Sequence, residues 1–179
     1  MTETPQQYTE RILGYQRGKE PMKILAATPA RIAALIAKST PAKMKSTPAP
    51  GKWCTSEILA HLADAELVFA FRLRLVLGSN GVTIQAFNQD VWAKSFMYGK
   101  QNWKESFETF RTVRKANIAL LRRIPPEQWE FFGMHQERGK ETVTRMTEMY
   151  AGHDINHTMQ IERMIGRKGR GKGRGRGKG

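Results

Sequence analysis

The stretch Tyr150-Ala-Gly-His-Asp-Ile-Asn-His157 lies at the centre of the pattern that decides the fold. Around it, apolar residues and histidines recur at steps of three or four, which places them on one face of a helix with about 3.6 residues per turn. The members of this face are Val143, Met146, Tyr150, His153, His157, Ile161 and Met164. Because most of them are apolar, we expect the face to point into the core and to take both histidines with it.

A third histidine, His61, falls on a comparable face of an earlier segment. A buried imidazole needs a hydrogen-bond partner or a metal ion, since an unpaired polar group costs about 1–3 kcal/mol. Histidines at positions i and i+4 project from the same side of a helix, so His153 and His157 can bind one cation, and a packed neighbouring helix would add His61. The alternative is a core in which each histidine makes an ordinary hydrogen bond.

Helical periodicity extends over most of the chain. The predicted helices span residues 4–17, 21–37, 55–77, 101–123 and 142–166. Residues 39–52 form a proline-rich loop, residues 79–100 form a long connection, and residues 127–141 are irregular. Because no segment shows the alternating pattern of a strand, the sequence predicts an all-α fold, a four-helix bundle with one long crossover connection.

The positive charge is concentrated at one end of the chain. The formal net charge is +14, and residues 167–179, where glycine alternates with basic residues, carry seven of the 30 Lys and Arg and no acid. Such a segment cannot bury apolar surface and is predicted to be a disordered tail. It follows a bundle at residues 18–166 and an N-terminal extension or short helix at residues 1–17. The tail has no aromatic residues for stacking on bases, so we expect weak, non-specific nucleic-acid binding at most.

Other features of the composition narrow the class of protein. No run of eighteen or more apolar residues is present, and the N-terminus lacks the basic and apolar regions of a signal peptide, so neither a membrane span nor export is indicated. The single cysteine, Cys54, rules out an intrachain disulfide and a cysteine-rich zinc site. These observations predict a cytoplasmic protein.

Several segments resemble, in their order and spacing, the DinB/YfiT-like metalloenzyme superfamily. They are Pro48-Ala-Pro-Gly-Lys-Trp53, Glu57-Ile-Leu-Ala-His-Leu-Ala-Asp-Ala-Glu66, Phe87-Asn-Gln-Asp-Val-Trp92, Ile124-Pro-Pro-Glu127 and Ala151-Gly-His-Asp-Ile-Asn-His-Thr-Met-Gln-Ile161. The resemblance covers residues 18–166 and implies a DinB-like four-helix bundle with a divalent metal ion, zinc or nickel. Three histidines hold the metal in the family, and they match His61, His153 and His157. The resemblance also implies a homodimer and, from characterised branches, thiol-dependent transferases and isomerases.

Two classes of function are open at this point. Three histidine ligands leave a coordination position free, which is typical of a catalytic metal site. A metal-dependent enzyme could then act on a small molecule as an S-transferase, with a low-molecular-weight thiol as cosubstrate, or as a hydrolase. The alternative is a non-enzymatic stress-response or binding module, in which the metal is structural and the basic tail binds nucleic acid.

Further residues are candidates for supporting roles around the histidines. Residues that could orient an imidazole or bind substrate are Asp64, Glu66, Tyr150, Asp154 and Gln160. The fourth histidine, His135, lies in a predicted loop and either reaches the pocket or structures that loop. Cys54 precedes the helix that bears His61 and is a poor N-cap, so Thr55 is expected to take over with a shifted start. A thiol there could be nucleophilic, although a small, half-buried structural residue is the favoured interpretation.

Overall fold

Helices account for most of residues 3–165, the part of the chain that the computed structural model describes. The elements in chain order are α1 (Pro5–Gln16), α2 (Pro21–Ile36), α3 (Pro41–Met44), α4 (Thr55–Gly78), β1 (Val82–Ile84), α5 (Gln89–Ser95), α6 (Trp103–Leu121), β2 (Phe132–His135), β3 (Gly139–Thr142) and α7 (Val143–Ile165). The predicted basic tail, residues 167–179, lies outside the described residues, and its disorder and nucleic-acid binding stay predictions.

The long helices α2, α4, α6 and α7 form a four-helix bundle. The most extensive pairings are α4 with α6 and α2 with α7, and contacts of α4 with α7 and of α2 with α6 close the bundle. The predicted all-α bundle is therefore confirmed. Among the described residues, none of the helices combines the length and the apolar character that a membrane crossing requires.

A small sheet corrects the prediction that the chain contains no strands. β1 pairs in parallel with β2, and β2 pairs antiparallel with β3. β2 and β3 occupy about half of the segment 127–141, which the sequence predicts to be irregular. Strands of three or four residues are too short to show an alternating pattern, and pairing between distant segments stabilises them. β3 leads directly into α7, so the sheet fixes where the helix with two histidines begins.

Two apolar cores lie along the bundle, and a layer of buried polar side chains separates them. One core comprises Leu25, Phe69, Leu73, Val76, Ile84, Ile118, Leu121, Val143, Met146 and Ala151. The other comprises Ile32, Ile36, Met44, Ile58, Leu59, Leu62, Ala63, Phe110, Ile161 and Ile165. The positions between them on α4, α6 and α7 hold Glu66, Arg114, His153, Asp154 and His157, all buried. Polar groups in the middle of a bundle need hydrogen-bond partners or ligands there, so this layer is the place to look for a functional site.

The N-terminal helix α1 packs against α7 on the outside of the bundle. It begins at a capping box, in which Thr4 Oγ1 accepts from the Gln7 N–H at 3.2 Å and Gln7 Oε1 accepts from the Thr4 N–H at 2.9 Å. The two helices approach so closely that a Cβ added at Gly152 would lie 2.1 Å from the Ile12 carbonyl oxygen. This contact brings α1 over the polar layer.

Candidate metal centre

Three histidines converge between α4 and α7. His61 comes from α4, and His153 and His157 come from successive turns of α7. The Nε2 atom of His153 lies 2.9 Å from Nε2 of His61 and 3.1 Å from Nε2 of His157. One possible ligand atom from each residue falls within a group whose members are all within 4.8 Å of one another. The structure thus brings together the three residues that the sequence singled out, here called the histidine cluster.

The histidine cluster is buried and uncharged. The exposed fraction of the residue surface is 1% for His61, 8% for His153 and 6% for His157. Burial disfavours the imidazolium form, so the pKa of His61 and that of His153 lie well below the ordinary value, and the pKa of His157 is lowered to about 4. At neutral pH the three rings are therefore neutral, the form in which an imidazole nitrogen binds a metal ion.

The hydrogen bonds of the cluster fit a cation. Gln160 Oε1 accepts from His157 Nδ1 at 2.9 Å, which keeps the proton on Nδ1 and leaves a lone pair on the Nε2 atom that faces His153. His61 departs from this pattern, because its Nδ1 is buried without a hydrogen-bond partner in the described part of the chain. Zn–N bonds of about 2.0–2.1 Å at tetrahedral angles would place ligand nitrogens about 3.3–3.4 Å apart, close to the 2.9 and 3.1 Å that separate His153 Nε2 from the other two rings.

The carboxylates near the histidines in sequence do not support them. Glu66 and Asp154 instead bind Arg114: Arg114 Nη2 donates to Glu66 Oε2 at 2.7 Å and to Asp154 Oδ1 at 3.0 Å. Asn117 Nδ2 donates to Glu66 Oε1 at 2.7 Å, and Arg114 Nη1 donates to the Leu25 carbonyl at 3.1 Å. Glu66, Arg114, Asn117 and Asp154 are called the arginine cluster. It ties α2, α4, α6 and α7 together.

The remaining candidates have mostly structural surroundings. Asp64 Oδ2 accepts from the Tyr98 hydroxyl at 2.6 Å, and the Tyr150 ring stacks on Phe69 with centroids 4.0 Å apart. His135 lies in β2 rather than a loop. It is 3.3 Å from Arg72 Nη2 and does not join the histidine cluster.

The prediction that Thr55 replaces Cys54 as the N-cap is wrong. Cys54 is the N-cap of α4, and its N–H donates to Glu57 Oε2 at 2.8 Å. This bond to the glutamate at the third helical position compensates for the weak cap. Cys54 is buried, and its Sγ lies 3.0 Å from Ser56 Oγ. These surroundings are those of a structural residue.

Two cavities reach the histidine cluster from different sides. A cavity of about 550 Å³ opens beside His157, and its lining includes Arg11, Lys52, Trp53 and Arg163. A second cavity, of about 70 Å³, lies beside His61 and His153. This second cavity is also lined by Tyr8, Ala65, Arg72, Phe87, Gln89, Arg138, Met149 and Tyr150. The cluster is therefore accessible to small molecules although its side chains are nearly buried.

Helix α1 supplies residues that the sequence did not identify. Tyr8 lines both cavities, and Arg11 lines the larger one while its Nη1 donates to Asn156 Oδ1 on α7 at 3.4 Å. Burial raises the pKa of Tyr8, so its hydroxyl stays protonated. The amphipathic pattern indicated that residues 4–17 form a helix but not where that helix packs, because its position depends on the close contact at Gly152.

Known proteins resemble this chain over most of its length. A family model described as the DinB superfamily matches residues 24–161. A protein of Oceanobacillus iheyensis, provisionally named metal-dependent hydrolase OB0782, is 25% identical over 118 residues, which are 66% of this chain and 68% of that protein. YfiT of Bacillus subtilis, also provisionally named a metal-dependent hydrolase, is 21% identical over 150 residues, 83% of this chain and 84% of YfiT.

A solved structure is similar to the whole fold. The structure of YfiT from Bacillus subtilis, described as having an unusual four-helix bundle topology, matches with a TM-score of 0.74 and covers 93% of this chain and 92% of its own. The two sequences are 18% identical in this superposition, so the likeness concerns the fold.

Proposed function

This chain belongs to the DinB superfamily, and from that premise we propose that it is a metal-dependent enzyme whose divalent ion is held by His61, His153 and His157. One observation carries the proposal: three neutral, buried imidazoles direct their Nε2 atoms at a common point. Without a cation, the two Nε2–Nε2 contacts share the one Nε2 atom of His153, so at most one of them is an ordinary hydrogen bond, and His61 Nδ1 is unpaired. A cation bound there would remove the first of these costs.

The number of ligands favours a catalytic rather than a structural ion. Structural zinc sites are usually closed by four protein ligands, whereas catalytic sites have three and keep one position for water or substrate. The histidine cluster supplies three, and two cavities lead to it. Zinc and nickel are the ions we propose, since imidazole suits both and neither needs an additional carboxylate or thiolate.

The protein residues around the site have separable roles in such a reaction. A bound divalent ion supplies Lewis acidity and makes water or a thiol nucleophilic near neutral pH. Gln160 fixes the tautomer of His157, and the Trp53 ring, centred 4.9 Å from that of His61, shields one side from water. The Tyr8 hydroxyl, protonated in its buried position, can donate a hydrogen bond to a substrate in either cavity.

Hydrolysis is the reaction we favour, because the relatives OB0782 and YfiT are provisionally named metal-dependent hydrolases. Thiol-dependent S-transfer is a second candidate because the site has room for two reactants. The cavity of about 550 Å³ beside His157 can admit a second small molecule while the smaller cavity is occupied. Turnover of model esters and amides, measured with and without an added low-molecular-weight thiol, separates the two reactions.

The proposal is tested by elemental analysis of the full, untagged chain beside a His153→Ala/His157→Ala variant. We expect about one equivalent of zinc or nickel in the parent and little in the variant, because a single remaining imidazole does not retain an ion. A His135→Ala variant is the matched control, since it removes a histidine outside the cluster and should keep the metal. A metal-free parent whose stability does not change on adding zinc or nickel would refute the proposal.

A further inference from the structure

Arg72 is a buried arginine of α4 without a carboxylate partner. Its side chain is among the buried charged groups at 5% exposure. Nη2 donates to the Gln85 carbonyl at 2.5 Å and lies 3.3 Å from His135 Nε2, and both partners are uncharged. Of the ion pairs formed by residues 3–165, none includes Arg72.

The carboxylate that could pair with Arg72, that of Glu141, already forms an ion pair with Arg138. Glu141 attracts the Arg72 guanidinium, but both of its carboxylate oxygens accept from Arg138, at 2.7 and 3.0 Å. Arg138 and Glu141 therefore neutralise each other, and the positive charge of Arg72 remains uncompensated. Burial accordingly lowers the pKa of Arg72, although an arginine stays charged at any physiological pH.

Arg72 shares a cavity with the histidine cluster. Arg72 lines the cavity of about 70 Å³ that His61 and His153 also line. Besides the Gln85 carbonyl and His135, the Tyr150 side chain on the same wall is a hydrogen-bond partner of the guanidinium. None of these partners is a carboxylate. The guanidinium can therefore exchange a neutral partner for the carboxylate of a ligand beside the histidines.

We propose that Arg72 binds a carboxylate group of the substrate in this cavity, so that the protein acts on small carboxylate-bearing molecules. This inference rests on the proposed function, since it places the reacting bond of that substrate next to the ion held by the histidine cluster. A guanidinium donates two parallel hydrogen bonds to a carboxylate, which fixes orientation as well as position. Held in this way, a substrate presents the atoms beyond its carboxylate to His61 and His153.

Cavity size and charge favour a carboxylate over a larger anion. The cavity of about 70 Å³ is small beside its neighbour of about 550 Å³ and suits a small planar group. Arg72 contributes the one uncompensated charge of the wall, which matches a monoanion better than a doubly charged phosphate. Tyr8, on the same wall, can donate a further hydrogen bond.

The test uses acetate as the probe and the full, metal-free chain as the target. Titration of [13C]acetate, followed by NMR line broadening, should give saturable binding, whereas neutral acetamide of the same shape should not bind. We expect Arg72→Gln to weaken acetate binding at least tenfold and Arg72→Lys, which keeps the charge but not the paired donors, to weaken it less. Arg74→Gln is the matched control, because Arg74 lies two residues away on α4 and is exposed.

Each result bears on a single claim. Absence of saturable acetate binding to the parent, equal binding by Arg72→Gln, or equal affinity for acetamide would overturn the carboxylate assignment. Tighter binding of inorganic phosphate through Arg72 would overturn it as well. If Arg72→Gln does not fold, Arg72→Lys and the acetamide comparison still decide. A parallel zinc titration reports on the histidines alone, so failure to bind zinc would refute the proposed function without altering the acetate result.

Discussion

The histidine cluster and the arginine cluster lie side by side, yet they are built on opposite principles. Both join α4 to α7, and on α7 they occupy adjacent positions, His153 and Asp154. In the arginine cluster the charged groups meet inside the protein: Arg114 binds both carboxylates, and Asn117 satisfies a further oxygen of Glu66. In the histidine cluster the rings face one another, one nitrogen has no partner, and cavities open on both sides.

The difference indicates which polar groups serve the fold and which serve a ligand. Each cluster leaves one buried nitrogen without a partner, Arg114 Nε in one and His61 Nδ1 in the other, so the difference lies in charge and access. A buried network in which opposite charges bind one another fixes the packing of the helices and leaves little to bind. A cluster of neutral rings beside cavities has no such internal partner, and it is retained where a ligand completes it. On this criterion the arginine cluster positions the bundle, whereas the histidine cluster and Arg72 are the groups to which we assign an ion and an anion in the proposals above.

The largest effect is expected from breaking the arginine cluster. Arg114→Met removes the cation and leaves Glu66 and Asp154 buried without a counter-charge, which should lower the free energy of unfolding by about 3–5 kcal/mol. Urea unfolding of the metal-free protein measures the loss.

Arg111→Met on the same helix is the control, since Arg111 pairs with Glu108 at the surface and exposed pairs contribute about 1 kcal/mol or less. If the two variants were equally stable, the arginine cluster would have no structural role.

The sequence predicted the helical parts of this comparison well. Residues on long helices repeat every three or four positions, so the helices, the bundle and the inward position of His61, His153 and His157 could all be inferred. The partners of Glu66 and Asp154 could not, because Arg114 lies 40 or more positions from either and charged residues are usually placed at the surface.

The parts that the sequence missed depend on contacts between distant segments. The strands are too short for a pattern and form only when β1 meets β2. Arg72 looks like any helical arginine until β1 and β2 bring Gln85 and His135 against it. Likewise, the position of Tyr8 depends on how α1 packs on α7. Such residues are recognisable only when burial and partners are known.

Lowering the pH should destabilise the folded protein through the histidine cluster. The pKa of His157 is about 4 in the folded protein against about 6.5 when unfolded. Below pH 6.5 the unfolded chain binds the proton first, so stability is present at neutral pH and is lost as the pH falls towards 4. A shift of this size corresponds to about 3 kcal/mol.

Urea unfolding of the metal-free parent and of His157→Gln at pH 7 and pH 4 tests this expectation. The glutamine variant removes His157 together with its repulsion on His61 and His153, so the difference between the two losses measures the protonation that depends on His157. The parent should lose more stability on acidification than the variant. Equal losses would contradict a buried, neutral His157.

The smallest effect concerns α1, which covers the histidine cluster and contributes nothing to the arginine cluster. Gly152→Ala places a Cβ within 2.1 Å of the Ile12 carbonyl oxygen, a backbone atom that cannot rotate away, so α1 must move. We expect the free energy of unfolding to fall by about 1–3 kcal/mol and α1 to be proteolysed faster, with the bundle intact.

Gly14→Ala is the control: nothing lies within 4 Å of its added Cβ, and it should stabilise α1 by up to about 1 kcal/mol. Equal stability of the two variants would mean that α1 does not depend on its contact with α7, and Tyr8 and Arg11 could then not be assigned to the metal centre.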